Sequence, residues 1–165
     1  MSPPKNANDN IGNGSIIHAG EVQKMSAGKG IFHSEYNPSS TQPVHFLQIW
    51  IMPNQLGIEP SYEQRMWTEI EKKGKFKLIG SPDGKDDSIT IHQDIYLYIT
   101  ALDKEQEVSY KIAPQRRIWL QIVKGAIKLH DYSLVAGDGA AITLVDSITL
   151  KATDDQSEIL LFDMN

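Results

Sequence analysis

The chain has 165 residues, with 16 Lys and Arg against 21 Asp and Glu for a net charge of −5, and a hydrophobic share of 40%. That composition suits one large or two small globular domains and argues against the basic footprint of a nucleic-acid binder. No apolar run approaches the roughly 18 residues of a membrane span. With no cysteine, disulfides, thiolate ligands and a cysteine nucleophile are excluded, so any metal must be held by nitrogen and oxygen donors.

The opening "MSPPKNANDN" lacks the apolar core of a secretory signal, and a soluble, cytoplasmic protein is expected. Residues 1–8, rich in Pro, Asn and Lys, have no periodicity and read as a disordered tail or a passage into the first ordered strand. "DNIGNG" is turn chemistry, and "SIIHAGEVQKMSAGKG" alternates short apolar runs with glycine turns. "VHFLQIWIM", residues 44–52, is β-branched and aromatic and apolar on both faces, which predicts a strand covered on both sides.

"PNQLGIEPSYEQ" reads as a linker that divides a first unit at 9–59 from a second at 60–165. Met66, Trp67 and Ile70 in "PSYEQRMWTEIEKK" stand at helical spacing, predicting a helix with Trp67 in the core. The basic run "KKGKFK", residues 72–77, reads as a solvated hairpin or loop. Beyond it, "SITIHQDIYLYITAL", "EVSYKIA", "RRIWLQIVKG", "AIKLH", "GAAITLV", "SITLKAT" and "SEILLFD" are short, rich in Ile, Leu, Val and Tyr, and separated by polar turns. Regular short strands of this kind predict an all-β sandwich or barrel.

The chemistry centres on "GKGIFHSEY". In a strand, side chains repeat every second residue, so His33 and Glu35 point to one face and can converge on one ion. Imidazole with carboxylate suits Fe, Mn, Ni, Cu or Zn. Gly28 and Gly30 would let a ligand approach the pair closely. Taken alone, the H-x-E spacing is more often a surface or hydrogen-bonded pair than a metal site.

"GEVQKMSAGKGIFHSEYNPSS", followed by "HFLQIWIMPNQLGIEPSYEQ", "HQDIYLY", "RRIWLQIVKGAIKL" and "EILLFD", resembles the pirin family of bicupin proteins over residues 9–165. The resemblance implies two cupin barrels of RmlC-like fold. It also implies a mononuclear metal in the N-terminal barrel, held by three histidines and one glutamate, and an activity like that of quercetin 2,3-dioxygenases. His33 and Glu35 match two of the four implied ligands, and Glu35 is the implied catalytic base for the 3-hydroxyl of a flavonol-like substrate. The other two histidines come from an H-x-H motif in an earlier strand, and no H-x-H occurs in this sequence. His18, His45, His92 and His130 do not replace it, and His45 reads as a packed side chain.

One complete C-terminal barrel and a partial, N-terminally truncated metal-binding barrel are therefore expected, with transition-metal binding weak or absent. The second unit reads as a structural cupin, with turns set by Gly125 and Gly137, a cap from Asp138, and a hydrogen-bonded pair of His92 and Asp94 on one strand face. An incomplete barrel leaves open edges, so a homodimer or strand-exchanged oligomer is expected, with a His2Glu2 site across the two-fold axis as one arrangement. Two functions stay open: metal-dependent flavonol oxygenation, impaired by the missing ligands, and a non-catalytic interaction module. Nothing resembles a G-x-S-x-G nucleophile, and neither nucleic acid nor membrane is an expected partner.

Overall fold

The structure is a computed structural model that describes residues 5–9 and 14–165, with side chains from residue 16 onward. Apart from one short helix and a single 3-10 turn, its regular structure is all strand, as expected. The chain divides into two compact units, Met1–Trp67 and Thr68–Asn165. Among the described residues, no helix is long and apolar enough to cross a membrane.

In the first unit, β1 (Lys5–Asp9), β2 (Gly14–Ile17) and β4 (His33–Tyr36) form an antiparallel sheet in the order β2-β1-β4. Of the two readings of residues 1–8, a disordered tail is overturned from Lys5 onward, where the chain is already strand, while residues 1–4, and residues 10–13 of the expected "DNIGNG" turn, lie outside the described residues. A second, two-stranded sheet pairs β3 (Glu21–Ser26) with β5 (Ser61–Met66), from Glu21 opposite Met66 to Ser26 opposite Ser61. Residues 60–67, expected to open the second unit within a helix, therefore belong to the first. The alternation Tyr62, Gln64, Met66 is strand spacing, and cross-strand partners on β3 override the helical one: Gln23 Nε2 donates to the Tyr62 hydroxyl at 2.9 Å, and Lys24 Nζ to Ser61 Oγ at 3.0 Å. Trp67 is buried, as a core residue should be.

Helix is confined to α1 (Glu69–Lys72), where the Glu71 carboxylate accepts the Thr68 backbone N–H at 2.8 Å as half of a capping box. The basic run 72–77 is an exposed turn at Lys73–Lys75, as expected, but not at its ends. Lys72 is 3% exposed, its ammonium held by Glu69 at 2.9 Å and Glu158 at 3.3 Å, and Lys77 opens β6 (Lys77–Ser81).

The remaining strands are β7 (Ile89–Thr90), β8 (Ile95–Leu102), β9 (Glu107–Lys111), β10 (Arg117–Lys124), β11 (Ala126–Leu129), β12 (Tyr132–Val135), β13 (Gly139–Ile142), β14 (Ser147–Ala152) and β15 (Ser157–Met164). They build a six-stranded sheet in the order β13-β10-β15-β8-β6-β7 and a four-stranded sheet in the order β12-β11-β14-β9. Alternation fixes which side chains face inward: Ile118, Leu120 and Ile122 on β10, Ile159 and Leu161 on β15, and Ile148, Leu150 and Ala152 on β14 form one buried cluster. Full burial of each Leu or Ile side chain contributes about 1.5–3 kcal/mol.

Turns follow the expected glycines. Gly125 has φ +74, and a Cβ there would stand 2.4 Å from Ser157 Oγ. Gly137 has φ +97, and the Asp138 carboxylate caps its turn by accepting the Val135 N–H at 2.8 Å. The polar "HDYS", by contrast, is turn only at its start, because Tyr132 already pairs with Leu129.

Leu161 is 0% exposed in this cluster. Leu161→Ala is expected to lower the stability of the second unit by about 2–5 kcal/mol, read as a shift of the urea midpoint at unchanged slope. A shift equivalent to less than about 1 kcal/mol would contradict the inward packing of β15.

Candidate functional site

His33 and Glu35 both lie on β4, which the Gly28–Gly30 turn leads into and the β1 ladder holds: Asp9 is opposite His33 and Ala7 opposite Glu35. The period of two therefore places the imidazole and the carboxylate on one face of the strand, as expected. His33 is exposed and Glu35 half-buried.

Of the two glycines of this turn, Gly28 serves another purpose than the one expected of it, while a Cβ on Gly30 would meet nothing within 4 Å. A Cβ on Gly28, at φ +55, would stand 2.4 Å from the Ile58 carbonyl oxygen and 2.9 Å from Pro60, so the chain itself occupies the close approach that was assigned to a ligand. Beyond β4, Asn37 and Ser39 build a polar turn: Asn37 Oδ1 accepts the Ser39 N–H at 3.0 Å, and Ser39 Oγ accepts that of Gln42 at 2.9 Å.

Among the described residues, no three His, Cys, Asp or Glu side chains gather into a group that could hold an ion. His45 is exposed rather than packed. It lies within residues 44–52, expected as a strand covered on both sides, where the structure has no strand among the described residues. His18 is exposed beside the β2–β3 turn, and His92 and His130 belong to the second unit. The donors present fit Fe, Mn, Ni, Cu or Zn in kind and fall short in number, so a metal on one copy would be held by His33 and Glu35 with the rest of its sphere supplied from elsewhere.

The second unit holds a polar cluster that spacing alone did not signal. Arg116 donates from Nε to Asp163 Oδ1 at 2.5 Å, from Nη1 to Asp94 Oδ1 at 2.7 Å and from Nη2 to the Asp163 carbonyl at 2.7 Å. The Tyr110 hydroxyl donates to Asp163 Oδ2 at 2.5 Å. Phe76, Tyr98 and Tyr110 pack edge to face beside it, with centroids 5.2 to 6.4 Å apart. Asp94 is thus the partner of Arg116 and not of His92, and residues 92–94 bend instead of running as a strand. The available signal was an inward-facing Asp163 that follows the apolar Ile159 and Leu161 on the same strand face.

Burial alone would lower the Arg116 pKa, but Asp163 and Asp94 overcome it and the net shift is upward. Burial, reinforced by the bond to Asp163, raises the Tyr110 pKa well above the ordinary tyrosine value.

Comparison with known proteins places this arrangement. The profile described as Quercetinase C-terminal cupin domain matches residues 78–164, and that described as Pirin matches residues 6–51. The chain belongs to the pirin family. This pirin is 47% identical over 156 residues to quercetin 2,3-dioxygenase of Escherichia coli strain K12, an alignment covering 94% of this chain and 66% of that protein. The chain therefore spans just under two thirds of the curated relatives it matches. Crystal structures of YhhW from Escherichia coli superpose with TM-score 0.92 at 44% identity, over 100% of this chain and 69% of that one, and, for bacterial pirin YhhW in complex with nickel(II), with TM-score 0.89. The fold is that of the cupins.

The raised Tyr110 pKa carries a sign. A group whose folded pKa lies above its unfolded value, about 10 for tyrosine, contributes stability that is complete below that pH and is lost as pH rises beyond it. Tyr110→Phe is therefore expected to flatten the fall in melting temperature between about pH 9 and 11. An unchanged slope would place another group behind the alkaline loss.

Proposed function

We propose that this pirin takes part in metal-dependent oxygenation of a flavonol-like small molecule, with His33 and Glu35 as two of the protein ligands of a divalent transition metal. One observation carries the reading: the imidazole and carboxylate share one face of β4 in a chain 47% identical to a quercetin 2,3-dioxygenase. The nickel complex of the related YhhW supports a metal of this class without selecting among Fe, Ni, Mn, Cu and Zn.

When bound, such a metal supplies a Lewis-acid centre at which a flavonol's 3-hydroxyl and 4-keto oxygens can be held. His33 holds its ligand position through a neutral imidazole nitrogen. Glu35, half-buried beside it, offers the carboxylate that takes the 3-hydroxyl proton. With two protein donors per copy, affinity is expected to be weak, because it depends on ligand number and fixed geometry.

A second reading, a non-catalytic interaction module acting as an oligomer, is favoured by the exposed apolar residues of 44–52. Under the metal reading, residues up to Trp67 carry the metal-binding chemistry, and the second unit is structural.

Both readings are tested by metal content per chain measured with solution mass, on protein freed of affinity tag and reloaded with nickel. One ion per two chains in a dimer, with quercetin consumed in oxygenated buffer, is the expected result for the metal reading with a shared site. His33→Ala and Glu35→Gln should each weaken nickel binding by at least the roughly 10–100-fold that loss of a supporting partner costs. Nickel binding unchanged in both variants would remove these residues from the site.

A further inference from the structure

The half-buried Gln64 on β5 uses both ends of its amide. Nε2 donates to the Glu21 carboxylate at 2.8 Å and to the Ile16 carbonyl at 3.0 Å, and Oε1 accepts the Tyr62 hydroxyl. Tyr62 in turn accepts Gln23 Nε2 at 2.9 Å, and the same Glu21 oxygen accepts the His18 N–H at 2.7 Å. An amide suits this set because one end must donate twice and the other accept, which neither a carboxylate nor an ammonium can do.

The bond to Ile16 crosses from one sheet of the first unit to the other. Glu21, Gln23, Tyr62 and Gln64 belong to the β3–β5 pair, whereas Ile16 belongs to β2 of the three-stranded sheet. Ile16 stands opposite Asn6 on β1, and Asn6 opposite Tyr36 on β4. The adjacent rung is Ser15, Ala7 and Glu35. Neighbouring strands lie about 4.8 Å apart, so the tie enters the sheet one rung from Glu35 and roughly 10 Å across it. Strands of four or five residues form a weak sheet by themselves, and a fixed point on one edge limits how far the other can shift.

We propose that Gln64 is a positioning residue for the β4 face: by holding the Ile16 carbonyl to the β3–β5 pair, it sets the β2-β1-β4 ladder and, through it, the line of Glu35 toward a bound transition metal. This role rests on the metal reading above and acts through the ladder, not through contact with the ion. A site with few protein donors depends strongly on it, because affinity follows fixed geometry as well as ligand number.

Gln64→Leu keeps the bulk of the side chain and removes all three bonds. Gln64→Glu keeps its shape, loses both donors and sets a second carboxylate against Glu21. Amide hydrogen exchange on metal-free protein reads the tie by itself, and nickel titration reads its consequence. Both variants should speed exchange over residues 33–36 and raise the nickel dissociation constant about 2–30-fold, the range for substitutions along a coupled network. The urea transition of the second unit should stay unchanged. Lys24→Met removes the Lys24 contacts to Ser61 and Glu63 in the same β3–β5 pair while sparing those of Gln64, and it should leave nickel binding as it was. Unchanged exchange over 33–36 in both Gln64 variants would overturn the tie. Faster exchange with unchanged nickel binding would overturn the positioning role, as would an equal nickel loss in Lys24→Met, which would make Gln64 one more structural contact of the pair. Nickel binding indifferent to His33→Ala and Glu35→Gln would instead remove the metal reading, and this role would fall with it whatever the exchange shows.

Discussion

Each backbone N–H and C=O removed from water needs a partner, and each apolar face needs a cover. The second unit meets both demands within itself. Its two sheets turn Ile118, Leu120, Ile148, Leu150, Ile159 and Leu161 toward one another, and the eight-residue strands β8, β10 and β15 pair side by side at the centre of the larger sheet. The first unit meets them only in part. Among the described residues, its short ladders hold β1, β2 and β4 together and β3 against β5, while residues 37–60 contribute no strand, and Trp50 and Leu56 stand largely exposed. Much of what can be said about function follows from that contrast.

The two polar sites also differ in how their geometry is held. Asp163 is 6% exposed and faces inward beside Ile159 and Leu161. A buried carboxylate there is tolerable only because Arg116 and Tyr110 donate to both of its oxygens. Arg116 in turn joins Asp163 near the chain end to Asp94 before β8, so one guanidinium fixes two segments far apart in sequence. With its donors committed to protein acceptors, this cluster is a structural tie. His33 and Glu35 stand on a four-residue strand at the surface, and only the β1 ladder sets their spacing. Metal affinity needs several donors fixed at once, so what completes the β4 face decides its chemistry.

Where local pattern and long-range pairing agreed, the sequence was a sufficient guide. The strands of the second unit, its glycine turns at 125 and 137 and the cap by Asp138 were legible because alternation and turn chemistry are local properties. The shared face of His33 and Glu35 was legible for the same reason. Residues 60–67 were not: Met66, Trp67 and Ile70 satisfy helical spacing, but only the neighbouring β3 makes strand the better choice. Lys72 reads as solvent-facing until Glu158, distant in the chain, is brought beside its ammonium.

By itself, the sequence determined the all-β class, the family, the inward-facing residues of the second unit and the two candidate ligands on one strand face. Each follows from side-chain periodicity, turn preference or motif. Tertiary structure alone decided that 44–52 has no ladder within the described chain, that Gly28 makes room for Ile58 and Pro60, and that Asp94 and Asp163 close on Arg116. The reason is physical: hydrogen-bond ladders, close backbone approach and buried ion pairs join residues whose separation along the chain carries no local signal.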